Sequence, residues 1–119
     1  MNEGEDGPGS DEDRNLSVRG IIPALHHVRD SESDLLRIGS LISRFANDPE
    51  PGVRAELAEQ LPPIACFCLN SANRVPDSIY HITLAILEQL LTDGNSQVRR
   101  ITQNSLAFML EKRLVDFSE

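Results

Sequence analysis

Asp48-Pro49-Glu50-Pro51-Gly52-Val53-Arg54 returns in altered form as Asp93-Gly94-Asn95-Ser96-Gln97-Val98-Arg99. The aspartate, the valine and the arginine each reappear after the same interval, 45 residues. Both copies follow an apolar stretch with helical spacing, and both open another. A turn between amphipathic helices that recurs at roughly 40–47 residues has the period of a stacked helical hairpin. Such units pile into a curved rod whose usual work is holding other proteins.

Upstream of the first copy, Ser33 and Asp34 are placed to cap a helix whose apolar face is Leu35, Ile38, Leu41, Ile42 and Phe45. The prolines of the turn end it. Val53, Leu57, Leu61, Ile64 and Cys68 make the stripe of the return helix, which Pro62-Pro63 is expected to interrupt and bend. After a loop over 70–76, Asp77 or Ser78 caps a third helix carrying Ile79, Ile82, Ile86, Leu87, Leu90 and Leu91. Ser96 caps the last, with Val98, Ile101, Leu106, Met109, Leu110 and Leu114 inward. A leading helix over 16–29 presents Ile21, Leu25 and Val28, with Pro23 near its first turn. The expected fold is all-α: an α-α superhelix of the HEAT/armadillo type, with hairpins at about 33–69 and 77–115 inside a domain over 15–119.

The chain has 119 residues, 39% of them hydrophobic, 4% aromatic and none Trp, so its core is aliphatic. Net charge is −8. That argues against a nucleic-acid footprint, which needs a basic face, and against an anionic membrane surface. Glu3, Glu5, Asp6, Asp11, Glu12 and Asp13 face only Arg14 in the first fourteen positions. Residues 1–14 read as a disordered acidic tail, because nothing there buries apolar surface. No basic-then-apolar leader and no apolar run near the roughly 18 residues of a span are present in the sequence. An intracellular, soluble protein is expected, in the cytoplasm, with the nucleus as a second location. Cys66 and Cys68 then stay reduced and read as buried structural thiols.

In a tight turn, Asp48 and Asp93 accept from orphan N–H groups at the start of the following helix. Val53 and Val98 are the first inward residues. Arg54 and Arg99 point sideways toward the neighbouring repeat, so the four charged residues are placed to form a ladder along the stack. The role is mainly structural.

The stretch from Asp48 to Cys68, D-P-E-P-G-V-R-A-E-L-A-E-Q-L-P-P-I-A-C-F-C, resembles an early HEAT repeat of the regulatory subunit 1 family of serine/threonine protein phosphatase 4. Residues 91–111, L-T-D-G-N-S-Q-V-R-R-I-T-Q-N-S-L-A-F-M-L-E, resemble the repeat after it. The likeness runs from about Asn15 to the C-terminus. It implies a non-catalytic partner of the phosphatase 4 catalytic subunit. Members of that family are long rods, whereas this chain has two hairpins, so it looks like a truncated "subunit 1-like" relative or a fragment.

The residues of an enzyme are missing from the pattern. His26, His27 and His81 are too scattered for a metal site, Cys66-x-Cys68 lacks a second pair, and the glycines make no phosphate cradle. No cofactor is expected. Two readings remain: a regulatory scaffold that binds the catalytic subunit through its turns, or a structural remnant that binds nothing strongly. Two hairpins fall short of the three or more units that repeat stacks usually need.

Overall fold

The computed structural model describes residues 17–70, 73 and 75–115. The expected acidic tail, 1–14, lies outside them. After a 3-10 turn at Val18–Gly20 come α1 (Ile21–His27), α2 (Glu32–Ala46), α3 (Pro51–Leu69), α4 (Asp77–Leu91) and α5 (Ser96–Glu111). No strand occurs among the described residues. α2 and α4 have equal lengths and start 45 residues apart, as α3 and α5 start 45 residues apart. The interval first seen in three turn residues therefore governs whole helices.

The packing follows that register. The first helices of the two hairpins, α2 and α4, lie against each other, and so do the second helices, α3 and α5. α3 also contacts α4, while α1 and the 3-10 turn cover the other side of α2 and α3. This two-layer arrangement is an α-α superhelix of HEAT-like build. Ile21, Leu25, Leu35, Ile42, Leu57, Leu61, Ile64, Ile79, Leu87, Leu90, Val98 and Met109 are fully buried and form one continuous core. Each such side chain contributes on the order of 1.5–3 kcal/mol of transfer free energy. α2 shows one apolar stripe because its outer face, Glu32, Ser33, Leu36, Arg37, Ser40 and Arg44, meets solvent. α3 is apolar nearly all round because α2, α4, α5 and the 3-10 turn surround it.

Four local expectations need correction. Ser31, not Ser33 or Asp34, caps α2: its extended backbone lets Oγ accept from Asp34 N at 3.4 Å. α4 begins after Pro76 with no side-chain cap, and Asp77 is its first residue. Asn95 caps α5 in place of Ser96, its Oδ1 accepting from the N–H groups of Gln97 and Val98. Leu110 is 52% exposed, because the buried line of α5 runs Val98, Thr102, Ser105, Met109. Thr102 settles inside by donating its hydroxyl to Val98 O at 2.7 Å.

The prolines of α3 do not interrupt it; the helix runs unbroken from Pro51 to Leu69. Pro62 cannot donate to the carbonyl of Ala58, one turn back. Ser105 of α5 supplies the missing proton instead, donating Oγ–H to Ala58 O at 2.7 Å from a buried position. Pro63 likewise denies the Glu59 carbonyl its ordinary donor, at residues that are exposed to solvent. The cysteines just beyond differ from each other. Cys66 is exposed rather than buried, and burial pushes the Cys68 thiol up to about 12.

Two stability effects follow. Ser105→Ala leaves the buried Ala58 carbonyl unpaired and lowers unfolding free energy by about 1–3 kcal/mol in chemical denaturation. Gly39→Ala acts in the opposite direction. A methyl group there meets Ile82 and Ile79 side-chain carbons at 3.5 and 3.6 Å, ordinary contact distance. It removes a mid-helix glycine, so a gain of about 0.5–1 kcal/mol is expected by the same measurement.

Candidate functional site

The two inter-helix turns lie along one edge of the stack and carry most of its polar organisation. In the first, Asp48 Oδ1 accepts from Glu50 N at 2.9 Å. In the second, Asp93 Oδ2 accepts from Asn95 N at 2.9 Å. Each aspartate thus closes its turn by bonding the residue that precedes the next helix. The arginines then reach back. Arg54 Nη1 donates to Asp48 O at 2.7 Å, and Arg99 Nη1 donates to Asp93 O at 2.6 Å.

Between the turns there is one carboxylate rung. Arg54 Nε and Nη2 donate to Asp93 Oδ1 and Oδ2 at 2.8 and 3.0 Å, a two-pronged pair that crosses from one hairpin to the next. The side chains are only 17% and 9% exposed. Gln89 of α4 adds a second stitch, donating Nε2–H to Ala46 O and to Asn47 Oδ1 at 3.2 and 3.1 Å. The geometry brings Asp48, Arg54, Asp93 and Arg99 together but gives them unequal work. Asp48 and Arg99 act through backbone groups within their own turn, and only Arg54 and Asp93 join carboxylate to guanidinium across the repeats. Val98 is fully buried, whereas Val53 is half-buried.

The electrostatics follow the same contacts. The Arg54 hydrogen bond holds the Asp93 carboxyl below the usual carboxylate range; partial burial opposes this, and the Asn95 N–H and the charges of Arg54 and Arg99 assist. Asp93 in turn raises the Arg54 guanidinium, again chiefly through their hydrogen bond. Beside the first turn, Leu41, Ser43, Arg44, Phe45, Asn47, Asp48 and Pro49 line an open groove of about 430 Å³.

Among the described residues no group of three or more His, Cys, Asp or Glu is placed to hold a metal ion. His26 instead packs edge-on against Phe67, ring centres 4.7 Å apart. No helix among the described residues is long and apolar enough to cross a membrane. Sequence reasoning passed over Gln89 and Ser105, whose partners sit more than forty residues away. Asn95 did carry a signal, being a favoured cap type directly before the helix.

Hairpins that step by a constant 45 residues and are clasped at their turns define an all-helical superhelix of HEAT-like build. No family model matches the chain, and no solved structure matches it. It is 39% identical over 103 residues to human "Serine/threonine-protein phosphatase 4 regulatory subunit 1", and also 39% identical over 103 residues to the mouse protein of that name. It is 32% identical over 103 residues to the human "Putative serine/threonine-protein phosphatase 4 regulatory subunit 1-like". Each match covers 87% of this chain. Across that stretch the chain is homologous to the phosphatase 4 regulatory subunit 1 proteins. It spans 11% of the length of the first two relatives and 24% of the third.

The rung has a pH signature. Because the folded-state pKa of Asp93 is depressed, its stabilisation is complete above the ordinary carboxylate range and is lost as pH falls through the lower folded value. The melting temperature therefore falls as acid is added below about pH 4. Asp93→Asn is expected to melt lower at neutral pH and to show a shallower acid limb, read from thermal melts at several pH values.

Proposed function

We propose that the chain is a non-catalytic regulatory scaffold that binds the catalytic subunit of serine/threonine protein phosphatase 4 along its turn edge. The observation carrying this reading is the similarity over 87% of the chain to proteins named as regulatory subunits of that phosphatase. The geometry supports it physically. The Arg54–Asp93 pair and the Gln89 stitch hold two turns in fixed relation, so exposed groups on them, Glu50 on one and Gln97 and Arg100 on the other, meet a partner already ordered. Preorganisation of this kind lowers the entropy cost of association. The proposed role uses no bond-making residue.

A second reading, a relative that binds nothing strongly, has one observation in its favour. Leu110 and Phe108 of α5 are 52% and 46% exposed, two large apolar side chains left open to solvent on different sides of that helix. One experiment separates the two. The immobilised chain is expected to capture the phosphatase 4 catalytic subunit. The double variant Glu50→Arg/Arg100→Glu, which exchanges two exposed charges at constant net charge, is expected to weaken capture about tenfold or more with its thermal melt unchanged. A cooperatively folded chain that captures nothing establishes the second reading.

A further inference from the structure

The constant interval lets the two hairpins be compared position by position. On the side of the first hairpin that the second covers, the residues are small and closed in. Gly39 of α2 lies beside Ile79 and Ile82 of α4, and Ala46 is buried. In α3, Ala58 and Ala65 are fully buried, and the Ala58 carbonyl takes the Ser105 hydroxyl. Their equivalents in the second hairpin are Leu84, Leu91, Gln103 and Leu110. Leu84 and Leu91 are only half-buried, and Gln103 and Leu110 are exposed. Each pair is spaced seven residues apart, two turns along one face of its helix. The contact side of the second hairpin therefore carries three leucines with less cover than their counterparts have.

Charge says what fits there. α4 contains Asp77 and Glu88 and no Lys or Arg, with His81 between them. α5 contains Arg99 and Arg100 against Glu111, and Arg113 is exposed just beyond it. Lys112 lies over Phe108 instead. As the arms of one hairpin, α4 and α5 run antiparallel. Glu88, near the end of α4, is thus level with Arg99, near the start of α5, and Asp77 is level with the Arg113 end. A second copy turned by a half-rotation about an axis parallel to these helices lays its α4 on this α5. Heights are unchanged by that rotation. Glu88 of each copy then meets Arg99 and Arg100 of the other, and Asp77 of each comes to the Arg113 end of the other. The perpendicular axis sets α4 on α4 and α5 on α5, acidic on acidic and basic on basic, which is unfavourable.

The opposite end of the stack favours a closed pair. There α1 and the 3-10 turn lie on α2 and α3, with Val18, Ile21 and Leu25 buried. A head-to-tail row of copies needs two open faces, whereas a two-fold pair needs one. Pairing would also join two hairpins to two more, passing the three units that a repeat stack usually needs.

We propose that the α4–α5 side, centred on Leu84, Leu91 and Leu110, is a self-association surface on which a second copy packs face to face about a two-fold axis parallel to the helices. The leucines of both copies form its centre, and the Glu88–Arg99 contacts form its rim, each occurring twice by symmetry. The pairing concerns copies of this chain alone, so it stands or falls separately from the phosphatase reading.

The test is sedimentation of the full chain over a concentration series. A monomer of 13.2 kDa is expected to give way to a species of twice that mass and to nothing larger. Leu110→Glu, at an exposed position, is expected to weaken the pair at least about tenfold while helical circular dichroism is unchanged. Phe108→Glu places the same charge on another side of α5 and is expected to leave the pair intact. Glu88→Arg reports the axis. It is expected to weaken association about tenfold by setting like charges together, whereas in the perpendicular arrangement it would tighten it. A chain still monomeric at about 1 mM, growth beyond the pair, an undiminished Leu110→Glu or Glu88→Arg, or equal weakening by Phe108→Glu would each overturn the proposal.

Discussion

The Arg54–Asp93 pair is the contact on which the relation between the two hairpins rests. A helical hairpin has its own turn and its own stripe, but neither says how it must sit on the next hairpin. Aliphatic burial is non-directional and sets the register of one hairpin on the next less sharply than a pair with fixed bond geometry. A planar guanidinium meeting a carboxylate through two hydrogen bonds does not slide, because both bonds weaken steeply off line. The pair is also held at both ends. Arg54 is fixed to the Asp48 carbonyl and Asp93 to the Asn95 N–H. A shift of one hairpin therefore strains two turns at once.

Inside the stack, α3 carries a defect and α5 carries its remedy. A proline at position 62 costs a backbone hydrogen bond in the most enclosed helix of the fold, where water has no access to serve in its place. Ser105 brings a hydroxyl to the orphaned Ala58 carbonyl at the helix–helix contact. The same bond then does a second task, since it forms only when α5 is correctly registered against α3. Rung and hydroxyl lie on different layers of the structure, one at the turns and one between the second helices. Together they resist rotation as well as sliding.

How much of this was legible in the sequence depends on whether a residue's role is local. Helix existence and the stripes of α2 and α4 follow from apolar spacing, because burial of Leu35, Ile42, Leu87 and Leu90 requires only that one side face inward. The turn residues were legible because they recur. Leu110 was misplaced for the same reason that the others were right: apolarity was taken as inwardness, while the true inward line passes through Thr102 and Ser105. Those two are buried because a carbonyl waits for each hydroxyl, Val98 O within the helix and Ala58 O across it. The second demand arises 47 residues away and has no signature near Ser105. The expected break at Pro62-Pro63 failed on the same point. It counted the lost bonds of α3 without the neighbour that replaces one of them.

The unequal use of the turn residues bears on what the edge is for. Arg99 repeats Arg54 in the bond its Nη1 makes with the aspartate carbonyl of its own turn. The relatives that this chain matches are several times longer, and the matched stretch is one segment of them. On the proposed function, scaffold and contact surface need not be separate residues. The bonds that hold one repeat to the next are the bonds that fix the turn edge in space, so the stability of the stack and the readiness of its surface come from one set of side chains.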